Sequence, residues 1–234
     1  MTIARRGFLG TALGFGSDVA FNDGKATKSL LEKLADVGSA EASQHNRGIE
    51  SLTQDDVIYD INRALQKVKW GRSQKGYEDA FAHFSSIYDI SMARYHQTKD
   101  EFFLRAAVVS AMYAGKSMLD ASSLNNGKKM ENLRNALFSY GNTLATRQKL
   151  GTGKHDLYKK GIIDQPVADE KLIRKRTAEA YEELIRITSG REKENYLRSL
   201  IATYKRLTQL TDGTEKFNYQ IRIQDVSAQL GKIK

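Results

Sequence analysis

A chain of 234 residues with 40% apolar and 28% charged side chains has the balance of a folded protein, long enough for one large domain or two small ones. It contains no cysteine, which excludes disulfides, thiolate nucleophiles and zinc sites built on Cys, and no stretch approaches the ~20 apolar residues that span a bilayer. The net charge of +9 sits entirely in the second part: residues 1–100 carry 13 Lys/Arg against 13 Asp/Glu, and residues 101–234 carry 24 against 15.

Proline occurs once, at Pro166, while Ala, Leu, Lys, Glu, Arg and Gln recur, so long helices can run without interruption. After a glycine-rich opening, Leu30, Leu31, Leu34 and Val37 share one face of a short amphipathic helix behind a Thr27 cap, and residues 38–52 are small and polar, a linker or extended arm. The body starts near Thr53. There Thr53 and Asp56 have capping-box spacing, followed by Val57, Ile58, Ile61, Leu65 and Val68 at helical spacing to about Lys69. Tyr77, Phe81, Phe84, Tyr88 and Met92 form an aromatic stripe that predicts a helix with this face in the core. Thr98 and Glu101 read as a capping box opening a helix that is apolar nearly all round, from Phe102 to Met112, and therefore central. After SLNNGKK, Leu133, Leu137, Tyr140 and Leu144 mark a further helix.

Residues 147–166 hold glycines at 151, 153 and 161 with Lys149, Lys154, Lys159 and Lys160, and read as a basic linker. Beyond it, YEELIRITSGREKENY (181–196) and YKRLTQLTDGTEKFNY (204–219) align at an offset of 23 residues with eight of sixteen positions identical. Each copy ends one helix on Tyr and Leu, then restarts at Ser189-x-x-Glu192 or Asp212-x-x-Glu215, the spacing of a capping box. Lys216 to Val226 alternates polar and apolar residues as a strand would, but its counterpart in the first copy is plainly helical, so the repeat predicts helix.

The expected fold is all-α: a multi-helix bundle or irregular helical array of seven or eight helices with an extended N-terminal arm. Residues 1–52 form the arm, short helix and linker; 53–148 the helical core; 149–165 the basic linker; and 166–234 a C-terminal helical hairpin region.

The sequence carries few motifs of catalytic or metal-binding chemistry. KLGTGKHD (149–156) lacks the glycine at 148 and the hydroxyl after the lysine that a phosphate loop needs, having Gln148 and His155. The four histidines, His45, His83, His96 and His155, form no H-E-x-x-H, no i/i+4 pair and no Glu-x-x-His element, and no Gly-x-Ser-x-Gly elbow is present. Asp79 and His83 can meet across one helical turn, a pairing usual on helix surfaces. No enzyme, cofactor or metal is expected. Lys149, Lys154, Lys159, Lys160, Lys171, Arg174, Lys175 and Arg176 are the candidate anion or nucleic-acid contacts, with Trp70 and Tyr158 as stacking groups, although Glu170, Glu179, Glu182 and Glu183 blunt the positive face.

In the opening stretch, RRGFLGTALG resembles the start of a bacterial twin-arginine export signal, Arg5, Arg6, Phe8 and Leu9 matching its pattern, and the resemblance implies an extracytoplasmic protein. GFLGTALGFG is also similar to viral fusion peptides and the glycine-rich arms of virion proteins, which implies peripheral membrane contact. Against export, Asp18 cuts the apolar run short and Asp18-Val19-Ala20 is a poor cleavage site. The preferred reading is a docking arm in which Arg5, Arg6, Phe8, Leu9, Leu13 and Phe15 meet a neighbouring subunit. The expected function is thus a structural or assembly component of a large complex, a phage-like virion or tail for example, in a virion or cytoplasmic assembly. Its partners are other protein subunits in a homo- or hetero-oligomer. The alternatives are a twin-arginine-exported binding protein and a non-specific nucleic-acid-binding protein.

Overall fold

The computed structural model describes residues 51–70, 73–124, 126–150 and 169–233, and these form seven α-helices with no strand among them. In chain order they are α1 (Gln54–Trp70), α2 (Gln74–Thr98), α3 (Glu101–Ser122), α4 (Lys129–Arg147), α5 (Glu170–Ile187), α6 (Gly190–Gln209) and α7 (Gly213–Gly231), with a 3₁₀ turn at Asn126–Lys128 leading into α4. The all-α reading holds. The N-terminal arm, the segment Thr27 to Val37 and the linker residues 151–165 lie outside the described residues, as does Pro166.

Local chemistry sets the helix starts. Thr53 Oγ1 accepts from the Asp56 amide at 3.2 Å while Asp56 Oδ2 accepts from the Thr53 amide at 3.0 Å, so the expected capping box opens α1. The next start differs from expectation. Thr98 stays in α2, donating its hydroxyl to the Arg94 carbonyl at 3.0 Å; Lys99 turns the chain at φ 58°; and Asp100 becomes the cap of α3, accepting from the Phe102 amide at 2.9 Å. Asp169 caps α5 in the same manner, accepting from the Lys171 amide at 3.0 Å.

Helices pack chiefly on their neighbours in sequence, α1 on α2 through to α6 on α7. α3 lies at the centre of the first part, buried continuously from Phe102 to Met112 between α2 and α4. The aromatic stripe of α2 faces it: Phe81, Phe84, Tyr88 and Met92 are all buried, and Tyr77 packs at the edge. Leu133, Leu137, Tyr140 and Leu144 of α4 are buried as their spacing predicts. Leu133 and Leu137 also pack with Ala180 and Leu184 of α5, which carries the apolar interior on into a second cluster formed by α5, α6 and α7. Each fully buried leucine along this path contributes about 1.5–3 kcal/mol relative to exposure.

The 23-residue offset is a repeated corner. Tyr181 packs on Tyr196 with 6.1 Å between ring centroids, and Tyr204 on Tyr219 with 5.6 Å. Leu184 and Leu207 are both fully buried, and the hydroxyls of Thr188 and Thr211 donate to their carbonyls at 2.7 and 2.8 Å. Gly190 and Gly213 share φ values of 56° and 55°, a region glycine enters without steric cost. Ser189 and Asp212 occupy the cap positions, but neither side chain makes a capping bond, and the expected boxes do not form. The two glutamates instead reach the helix two places back: Glu192 pairs with Arg134 of α4 at 2.5 Å, and Glu215 with Lys171 and Lys175 of α5 at 2.5 and 2.6 Å.

Candidate contact surfaces

The basic run KLIRKR (171–176) lies within the first two turns of α5, and its cations meet carboxylates within the chain. Lys171 and Lys175 share Glu215 of α7, Arg176 pairs with Glu179 at 2.8 Å, and Arg174 lies 3.6 Å from Glu170. Glu170 is a hub. Its carboxylate, 15% exposed, accepts from Arg206 of α6 at 2.8 and 3.1 Å and lies 3.5 Å from Arg147 of α4, so three guanidiniums from three helices converge on it. The hydrogen bonds from Arg206, and then the charges of Arg206, Arg174 and Arg147, outweigh burial and hold Glu170 below the usual carboxylate range. Burial pushes Arg174 below its ordinary value, with Glu170 opposing.

These ties have a structural logic. Arg147 ends α4, Glu170 begins α5 and Arg206 lies in the last turn of α6, so each charge complements the helix terminus it occupies. Four of the expected anion contacts, Lys171, Arg174, Lys175 and Arg176, are thus joined in ion pairs that tie helices or helix turns together. Lys149 is exposed beyond the end of α4; with Lys99 it adds to burial in holding the His96 imidazole below its ordinary pKa. Lys154, Lys159, Lys160 and Tyr158 lie outside the described residues, as do the arm residues Arg5, Arg6, Phe8, Leu9, Leu13 and Phe15.

Two further polar clusters form around tyrosines of α6. Tyr196 donates to Glu192 at 2.9 Å beside Arg134, and Tyr204 donates to Glu182 beside Arg222, which itself reaches Glu182 at 2.9 Å. Burial works to raise Glu192, and the hydrogen bonds from Arg134 and Tyr196 overcome it, leaving the carboxyl below its ordinary range.

The surface that spacing alone did not single out is the outer side of α7. Only Val226 of this helix is buried; Tyr219, Ile223 and Leu230 pack partly on α6. At 100° per residue, Phe217, Ile221, Gln224 and Ala228 fall on the opposite side, and Phe217 is 59% and Ile221 40% exposed. Phe217, Gln220, Ile221 and Gln224, together with Ile223 from the packed side, line a shallow groove along this helix. The repeat sharpens the point. At the offset of 23 residues, Phe217 and Ile221 replace Glu194 and Arg198, which on α6 form an exposed i,i+4 ion pair at 2.7 Å. The last helix carries hydrocarbon where its predecessor carries a solvated salt bridge.

Other titratable groups are scattered. Burial alone pushes Asp89 of α2 up to about 7. His83 Nδ1 lies 3.5 Å from Lys67 Nζ of α1. Among the described residues no group of three or more His, Asp or Glu side chains is placed to hold a metal ion, and no helix is long and apolar enough to cross a membrane. Comparison with models of protein families, with curated proteins and with solved structures finds no match to this chain.

Proposed function

We propose that this chain is a structural or assembly component of a multi-protein complex, of the kind found in a phage-like virion or tail, and that it works by contact and not by catalysis. The observation that carries the reading is the outward apolar ridge on α7, where Phe217 and Ile221 stand in water on a helix already packed by its opposite side. Exposed large apolar groups in this arrangement favour association with another protein surface. The pairing of Lys171, Arg174, Lys175 and Arg176 with carboxylates within the chain supports protein contact over nucleic-acid contact, since phosphate binding would have to displace those partners. In this reading the arm residues Phe8, Leu9, Leu13 and Phe15 dock on a neighbouring subunit.

Purification from the native source with identification of the co-purifying chains tests the proposal. Stoichiometric partners are the expected result, with a variant lacking residues 1–26 recovering fewer of them. A chain recovered alone, or one that binds duplex DNA with an affinity falling steeply as salt rises, would replace the proposal with the nucleic-acid reading or none.

A further inference from the structure

We infer that the outward ridge of α7 is a contact between two copies of this chain, laid antiparallel across a two-fold axis. The inference rests on the reading of the chain as a contact protein and names the occupant of this surface. Positions 217, 221, 224 and 228 recur at alternating intervals of four and three residues, the spacing of a seam between two helices.

Charge selects the occupant. The residues flanking the seam are Asn218, Gln220 and Ser227, all neutral, with Asp225 the one ionic group between 217 and 228 on that side. An acidic or basic partner would find almost no counter-charge here. A chain of net charge +9 repels its own copy at most approaches, yet meets little repulsion along this strip. In the antiparallel register Asp225 of one copy faces Asn218 of the other, a carboxylate opposite an amide donor.

Size selects the direction. A two-fold contact must be complementary to itself. Antiparallel, Phe217 lies over Ala228 of the second copy and Ile221 over Gln224, so the bulky end of each ridge meets the slender end of the other. A parallel pair would crowd two phenylalanines at one end and leave two alanines apart at the other. The area sets the strength. Two large apolar side chains per copy fall well short of the roughly 800 Å² per partner of a standard interface, so the pair is weak, with a Kd of about tens to hundreds of micromolar. It becomes effective where other contacts already hold two copies close.

Sedimentation equilibrium of the full chain from about 5 to 500 µM should show a reversible monomer–dimer equilibrium in that range. Phe217→Glu, at an exposed position, should leave the circular dichroism spectrum unchanged and weaken dimerisation at least about tenfold. Because the chain has no cysteine, a mixture of the single variants Asn218→Cys and Asp225→Cys reports direction: antiparallel pairing gives mainly the mixed disulfide. A chain that stays monomeric throughout, a dimer indifferent to Phe217→Glu, or a predominance of 218–218 disulfides overturns the inference. A chain that co-purifies with other proteins yet stays monomeric here retains the assembly reading and loses only this pair.

Discussion

Gly115 and Tyr140 face each other where α3 crosses α4, and replacing the glycine with alanine puts the tightness of that crossing to the test. A Cβ at 115 would stand 2.6 Å from Tyr140 Cε1 and 2.7 Å from Cδ1. Carbon atoms rest at about 3.5–4.0 Å, so the shortfall is close to 1 Å. Tyr140 has no exposed surface, so its ring can yield only by moving neighbouring side chains or prising α3 from α4. Overpacking of this kind costs about 1–3 kcal/mol, the upper end applying to an immobile ring. Helix propensity returns about 1 kcal/mol of that for Gly→Ala, leaving a net loss near 2 kcal/mol. For a domain of this size the melting temperature should fall by roughly 4–8 °C. Gly141, also inside α4, has nothing within 4 Å of a built Cβ, so Gly141→Ala should gain about 0.5–1 kcal/mol. Urea unfolding followed by far-UV circular dichroism measures both. In a Tyr140→Leu background the ring is gone, and Gly115→Ala should become harmless or stabilising. Equal gains from the two glycine replacements, or a loss at 115 that persists without the ring, would refute the close-crossing argument.

Asp89 titrates near 7 in the folded chain against an ordinary 3.8, so folded protein binds more protons than unfolded between those values, and its contribution to stability falls as pH rises through that window. Asp89→Asn should therefore stabilise by about 2–4 kcal/mol at pH 8 and by little at pH 4, measured as urea midpoints; a gain independent of pH would contradict the assignment. Glu170→Gln leaves Arg147, Arg174 and Arg206 facing one another and should cost about 1–2 kcal/mol, most of it recovered in 1 M salt; a deficit indifferent to salt would mean that repulsion is not its source. Gly190→Ala and Gly213→Ala, at φ 56° and 55°, should each cost about 1–2 kcal/mol, with Asn milder at both positions, and unequal effects would show that the corners are not equivalent.

Short-range patterns in this sequence translate directly into structure, and long-range ones do not. The stripe Phe81, Phe84, Tyr88 and Met92 and the all-round burial of α3 follow from the helical period, because a face or a whole cylinder of hydrocarbon has few ways to leave water. The Thr53–Asp56 box forms because both partners lie within one turn. At Thr98 the same logic names the wrong cap: Thr98 and Asp100 are both good caps, and the left-handed turn at Lys99 decides between them. At Ser189 and Asp212 the spacing is right, but glycine in the left-handed region sets a different corner, and cations from α4 and α5 claim the glutamates. The Arg134–Glu192 and Arg206–Glu170 ties carry no local signature, because their partners lie 58 and 36 residues apart. The alternation in KFNYQIRIQDV, which mimics a strand, has a helical meaning. Tyr219 and Ile223 turn inward while Phe217 and Ile221 turn outward, so two opposed ridges on one helix leave the trace of a period of two.

Those opposed ridges bear on how α7 is held. One buried valine and a few half-buried side chains join it to α6, and much of the remaining attachment is ionic: Glu215 to Lys171 and Lys175, and Arg222 to Glu182. Hydrogen bonds from Lys171 and Lys175 hold Glu215 below the ordinary carboxylate range. A depressed carboxylate contributes stability that is present above its unfolded pKa and is lost as pH falls through the folded one. The attachment of α7 should therefore weaken first in acid, below about pH 4, before α3 and α4 open, because their cores are apolar. Hydrogen exchange reads this directly. Protection factors, corrected for intrinsic rates, should drop across residues 213–231 between pH 6 and pH 3.5 while those of α3 hold, and Glu215→Gln should show the low values already at pH 6. Raising the protein concentration at pH 6 should raise protection in α7 of the wild type further, because a partner on the outer ridge binds only the folded helix. Uniform loss of protection across all seven helices would mean that α7 is not a separate unit of stability, and the ionic account of its attachment would fail with it.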